Sequence, residues 1–284
     1  MKYCKLLKSL VFVMLFSALR IASAHADSAE AHYRLALEHK RQGNMDAALK
    51  EANQAVQDRK GFAAAYLTRG HILRHLNKWE RALDDYERVN QLEPDSPEGY
   101  AGAGAVLIRL ERYKDAIPRL KKAVSLDPKD VTSTGNLGAA LRQEGRIDEA
   151  VSVYRQAIKQ APKDAELQNN LGVALRHQRK YKEAMVALKK AVSLRPGDAG
   201  FQLNLAITLR SAKKYKEAII HYEEAIKLGL DRPSAVFDLA ICYERANQKA
   251  KAIETYERYA NLVRGEDPEA AKEAEKRASN LSRP

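Results

Sequence analysis

Apolar and small residues recur along this chain with one fixed step. The stretch Asn136-Leu137-Gly138-Ala139-Ala140-Leu141-Arg142 returns as Asn170-Leu171-Gly172-Val173-Ala174-Leu175-Arg176. It returns again as Asn204-Leu205-Ala206-Ile207-Thr208-Leu209-Arg210, 34 residues further each time and without insertion. The same step gives seven copies, opening at Ala29, Ala63, Pro97, Val131, Ala165, Ala199 and Pro233. The eighth position is always Ala or Gly: Ala36, Gly70, Gly104, Gly138, Gly172, Ala206 and Ala240. The twentieth is always Ala, from Ala48 to Ala252, and the twenty-fourth is Tyr or Leu in every copy but the first, which has Ala52. Leu recurs at the seventh and eleventh. This spacing predicts two amphipathic helices per copy, joined by a tight turn such as Gln143-Glu144-Gly145-Arg146. Small residues at the eighth and twentieth let the helices approach closely, and the larger side chains fill the gap. Pro94, Pro128, Pro162 and Pro196 close four copies, because proline cannot continue a helix. Pro118 falls near the start of a second helix, where a missing N–H is expected to do least harm.

At 100° per residue the first helix of each copy divides into two faces. The fourth, seventh, eighth and eleventh positions pack. The second, fifth, sixth, ninth, twelfth and thirteenth form a face left over for something else. Its sixth position runs Arg34, Thr68, Gly102, Asn136, Asn170, Asn204, Asp238, and its twelfth runs Lys40, Arg74, Ile108, Arg142, Arg176, Arg210, Glu244. Copies four to six thus set a column of asparagines beside a column of arginines. Asparagine donates and accepts at once, as a peptide backbone does. Arginine presents a planar fork to carboxylates or phosphates. The alternative is that the asparagines bond only the neighbouring copy and the arginines form a solvated face.

The small eighth and twentieth positions, the 34-residue period and the closing prolines together resemble the tetratricopeptide repeat family. The resemblance covers residues 29–264, as copies 29–62, 63–96, 97–130, 131–164, 165–198, 199–232 and 233–264. It implies an all-α, right-handed superhelical solenoid of helix-turn-helix repeats, with the spare face lining a concave groove. The first and last copies depart most, at Ala52, Lys60 and Arg264, as the ends of an array do. The asparagine column is also similar to the peptide-guiding ladder of O-linked N-acetylglucosamine transferase. Asn136, Asn170 and Asn204 match it, Asp238 approximates it, and Arg34, Thr68 and Gly102 depart. The resemblance implies a peptide track on Asn136, Asn170, Asn204 and Asp238, and the arginine column read from the helix face adds Arg142, Arg176 and Arg210 to the expected groove.

Residues 266–284 predict one more helix, with Asp267 as its cap and Pro268 in its first turn. Ala271, Ala274, Ala278 and Leu281 make a narrow apolar stripe that would cover the open face of the last copy. The other end of the chain has a different character. Lys2, Lys5 and Lys8 precede an apolar run from Leu10 to Leu19, followed by Ala22-Ser23-Ala24 and Ala24-His25-Ala26. A basic head, a short apolar core and an A-x-A site describe a secretory signal peptide over residues 1–26, cleaved after Ala24 or Ala26. The alternative is an uncleaved anchor or a buried N-terminal helix. Export implies a periplasmic location in a bacterium, and otherwise secretion or the lumen of the secretory pathway.

Charge narrows the partners. Losing residues 1–26 removes Lys2, Lys5, Lys8 and Arg20 and no acid, so the net charge falls from +12 to +8. Such a balance favours acidic partners. Cys242 is then the lone cysteine and is expected to be a small buried residue. His71 and His75 have ligand spacing on one helix but no third partner. His32 and His39 fall at packing positions, and His177 and His221 have no obvious partner in the sequence. Trp79 and the repeated tyrosines read as packing. No phosphate-cradling loop, nucleophile elbow or paired acid stands out, so neither a cofactor nor an enzymatic activity is expected. The expected function is a non-catalytic, exported interaction scaffold or assembly factor binding an extended, acidic peptide of a protein partner, in envelope or membrane-associated machinery. No nucleic acid is expected. The alternative is a binder of anionic glycan or lipid through distributed basic charge.

Overall fold

The computed structural model describes residues 27–283. The segment expected to be a signal peptide, residues 1–26, lies outside the described residues. Helix α1 runs through residues 27–41. It is followed by α2 (Met45–Asp58), α3 (Ala63–His75), α4 (Trp79–Leu92), α5 (Pro97–Arg109), α6 (Tyr113–Leu126) and α7 (Val131–Gln143). Then come α8 (Ile147–Gln160), α9 (Ala165–His177), α10 (Tyr181–Leu194), α11 (Ala199–Ser211), α12 (Tyr215–Lys227), α13 (Pro233–Arg245), α14 (Lys249–Val263) and α15 (Pro268–Ser282). Among the described residues there is no strand. The fold is all-α, a tandem of helical hairpins. From α3 to α13, every first helix opens on the residue that opens a 34-residue copy.

Each hairpin turn is set by its backbone. The fifteenth residue of every copy has positive φ: Gly43, Asn77, Glu111, Gly145, Arg179, Lys213 and Asn247. The residue after it bonds back into the preceding helix, as in Lys78 N–H to the Leu73 carbonyl (2.8 Å) and Lys180 N–H to the Leu175 carbonyl (2.9 Å). Asn77 N–H also reaches the Arg74 carbonyl at 3.1 Å. This is the Schellman arrangement, which satisfies carbonyls left open at a helix end. Glycine and asparagine adopt the left-handed region readily; Glu111, Arg179 and Lys213 do so against steric preference. At the other end, Asp164 caps α9 through Leu167 N–H (2.9 Å), and Asp198 caps α11 through Phe201 N–H (3.0 Å).

The chain divides into two compact units, one ending at Ala140 and the other beginning at Leu141. In the first, α3 packs on α4, α4 on α5 and α5 on α6. A Cβ on Gly104 would stand 2.5 Å from Leu120 Cγ, so the eighth and twenty-fourth positions do meet. Tyr86 is fully buried and lies against Gly70 and Gly102. This explains why the sixth position of copy three is glycine: the preceding copy's tyrosine fills the space. The seventh position of copy two also departs, with Arg69 in place of Leu. Its guanidinium holds the buried Asp85 carboxylate at 2.6 and 2.8 Å. Pro118 differs from expectation. It lies inside α6, one turn beyond the harmless positions; it is exposed, so water can serve the carbonyl that loses its partner.

In the second unit, α8 to α15 pack each on the next. Gly172 is pressed against Leu188, and Ala206, Ala218 and Tyr222 are fully buried in one core. Cys242 is buried in that core as well, and burial pushes its thiol up to about 12. Helix α15 lays Ala271, Ala274 and Ala278 on this core, with Asp267 accepting from Ala270 N–H at 3.0 Å. Leu281 stays half-buried beside them.

Candidate functional site

Arg142, Arg176 and Arg210 occupy the last turns of α7, α9 and α11, where a cation also suits the helix dipole. All three are half-buried and belong to the second unit. They differ in what they meet. Arg210 pairs with Asp238 on α13 at 3.1 Å, and Tyr222 donates its hydroxyl to the same carboxylate at 3.0 Å. Burial pulls the Arg210 guanidinium down, but Asp238 and Tyr222 more than offset it. Burial likewise lifts Asp238 above the usual carboxylate range, against the pull of Arg210 and the Tyr222 hydrogen bond. Arg142 lies beside the buried Tyr154 hydroxyl, which closes no hydrogen bond. Arg176 has no acidic partner among the described residues. Burial lowers it, Arg142 and Arg210 add to that lowering, and Tyr222 and Tyr181 oppose it. An arginine nevertheless keeps its proton at neutral pH. The result is a half-buried row of three cations with one acid, Asp238, at one end.

The asparagines behave individually. Asn204 donates to Asn169 of the preceding copy at 2.9 Å, so this member of the column does bond its neighbour. Asn170 is half-buried, and its side chain makes no hydrogen bond among the described residues. Asn136 belongs to the first unit and lines a cavity there. At the twelfth position of copy seven the charge reverses. Glu244 accepts from Tyr256 Oη at 2.6 Å and lies 3.9 Å from Arg277 of α15.

The first-unit cavity holds about 600 Å³. Ile72 forms its fully buried floor, Trp79 and Ile108 line its walls, and Lys40, Arg74 and Arg109 stand around it. Trp79, read from sequence as packing, has two faces: it packs against the core of α1 to α5 and lines the cavity. His71 also lines it, its ring centroid 5.6 Å from that of Tyr86. Burial, then Lys40 and Arg74, hold its imidazole down at about 4. Sequence reasoning passed over this cavity because the asparagine column begins only in copy four. The available signal was the cations at the twelfth and thirteenth positions of copies one to three beside the one tryptophan.

Two other histidines find partners, while the buried Nδ1 of His39 has none among the described residues. His32 meets Glu51 at 2.6 Å. His221, expected to have no obvious partner, meets Gln202 at 2.8 Å.

Residues 14–234 match the family described as the cilia and flagella-associated protein 70 C-terminal domain, and residues 203–271 match a tetratricopeptide repeat family. No curated protein matches the chain. Among solved structures, a tetratricopeptide repeat protein from Parabacteroides merdae is 14% identical, over 89% of this chain and 100% of its own, with a TM-score of 0.66. PilF of Pseudomonas aeruginosa is 18% identical, over 76% and 97%, with a TM-score of 0.65. YrrB, a repeat protein described as having an unusual peptide-binding site, is 25% identical, over 64% and 90%, with a TM-score of 0.56.

Proposed function

The chain belongs to the family described as the cilia and flagella-associated protein 70 C-terminal domain, is built of tetratricopeptide repeats and is a protein-interaction scaffold; on that premise we propose that it binds an extended, acidic peptide segment of a partner along the arginine row of its second unit, Arg142, Arg176 and Arg210. The observation that carries this reading is Arg176. It is a half-buried cation with no acid to neutralise it, held between two more arginines. A carboxylate arriving there gains charge-assisted hydrogen bonds and relieves the mutual repulsion of the row. Asn170, whose side chain makes no hydrogen bond among the described residues, is available to a peptide amide. The peptide-binding site of YrrB, a similar array, is in keeping with this role.

The scaffold acts without catalysis and works after export, in the periplasm of a bacterium or otherwise in a secretory lumen or outside the cell. What supports export is the basic, then apolar, then small-residue pattern of residues 1–26. Its partner belongs to envelope or membrane-associated machinery. Crosslinking in the native envelope tests the whole reading. The expected result is a saturable crosslink to an acidic segment of one protein, lost when Arg142, Arg176 and Arg210 are all replaced by Ala. Capture that is unchanged by that replacement at both low and high salt removes the row from the site. Capture that follows salt alone, without selectivity, favours a binder of anionic lipid or glycan instead.

A further inference from the structure

We infer that the cavity of the first unit is a second binding site, one that takes an acidic peptide segment through a single large apolar side chain. The inference rests on the scaffold reading only for the class of ligand; its residues are separate from the arginine row. Three observations converge on it. The cavity has an apolar interior, with Ile72 fully buried at its floor and Trp79 and Ile108 in its walls. Its volume of about 600 Å³ is in the range of sites that enclose a ligand rather than a single water. Its charge has one sign: Lys40, Arg74 and Arg109 line it, and no Asp or Glu does.

None of these three cations has an acidic partner among the described residues. Elsewhere in the same unit arginines find acids readily, as in Arg69 with Asp85 and Arg119 with Glu87. The Arg109 guanidinium instead stands 5.4 Å from the centre of the Trp79 ring. A ring face can hold a cation there, leaving the outer edge of the guanidinium to an incoming carboxylate. An apolar anchor residue would displace water from Ile72, Ile108 and Trp79, while carboxylates beside it in the peptide meet the three cations. An anchor alone lacks the charge, and a plain acidic strand lacks the apolar contact. A basic segment, such as the lysine-bearing residues 1–26 of the chain itself, meets repulsion.

Trp79 is the sole tryptophan of the chain, so its emission reports this site and not the arginine row. The probe is a short glutamate peptide with one central Phe, titrated into the full chain. The expected result is a saturable change in tryptophan emission. The same peptide with central Ser should bind about tenfold more weakly, the loss of one buried apolar side chain. The double replacement Arg74→Ala with Arg109→Ala, both exposed, should weaken the Phe peptide by about tenfold or more, with only the small fall in thermal midpoint that the lost Arg109–Trp79 contact brings. Replacing Arg142, Arg176 and Arg210 with Ala should leave the emission response intact, even if those changes abolish partner capture. The inference is overturned if the Phe peptide leaves the emission unchanged, if Phe and Ser peptides bind alike, or if a lysine version binds as well. It is also overturned if dilution alone shifts the emission, because a second copy of the chain would then be the occupant.

Discussion

Asn204 and Asp238 occupy the same position of successive copies, and the difference between them decides the fate of the arginine that faces each. Asp238 neutralises Arg210. The residue in the same relation to Arg176, one copy earlier, is Asn204, which is neutral. Replacing Asn204 with Asp should therefore give Arg176 the partner that Arg210 already has. With the Asn169 amide, which now accepts from Asn204, turned to donate to the new carboxylate, the thermal midpoint should rise, by about 0.5–1 kcal/mol of stability for a partly exposed pair. Affinity for an acidic peptide should fall roughly tenfold. A midpoint that does not rise, or affinity that does not fall, argues that Asn204 and Arg176 do not meet. His71 gives a second prediction at this scale. Its folded imidazole titrates at about 4 against an ordinary 6.5, so between those values the unfolded chain holds a proton that the folded chain refuses. Its contribution to stability is complete above about 6.5 and is lost as pH falls through about 4, amounting to ~1 kcal/mol once partial exposure is allowed for. His71→Gln should flatten the midpoint-against-pH curve in that window. The two columns were legible in the sequence. The pairing of Arg210 with Asp238 was not, because positions on one face do not say which side chains reach across copies.

Single hairpins carry their own tests. Gly172 sits where an added Cβ would strike Leu188 and approach the Ala184 carbonyl to 3.1 Å. Alanine gains up to about 1 kcal/mol in helix propensity there, but overpacking costs about 1–3 kcal/mol. Gly172→Ala should therefore lower the unfolding midpoint in urea. In the turn between α9 and α10 the sign reverses. Arg179 holds φ at 59°, and Arg179→Gly should stabilise by about 0.5–1 kcal/mol, relief of left-handed strain less the added freedom of the unfolded chain. Helix positions were readable because the period locks small and large residues to fixed places. Arg69 was not, since a charged residue at a packing position makes sense only once Asp85 is seen beneath it. Pro118 lies a turn further into α6 than its spacing indicates, because periodicity gives the face of a helix more sharply than its first residue.

Over the whole chain, stability is a sum of hairpins and their neighbours, so binding surfaces can be placed on different copies without disturbing one another. The fold was legible from repetition alone. The first-unit cavity was not, because it draws on several copies at once, and its cations at the twelfth and thirteenth positions sit where the asparagine column is missing. The basic balance of the chain adds a nonspecific attraction for acidic ligands, and any test of the scaffold must separate that background from the arginine row. The direct measurement is fluorescence anisotropy of a labelled glutamate-rich peptide without a large apolar residue, titrated at several salt concentrations. It compares the chain with a variant carrying Ala at positions 142, 176 and 210 and a variant in which three exposed lysines, Lys159, Lys182 and Lys190, are replaced by Ala. Both variants lose the same charge. The scaffold account predicts at least about tenfold weaker binding and a shallower salt dependence for the arginine variant, and little change for the lysine variant. Equal losses in the two variants would contradict it.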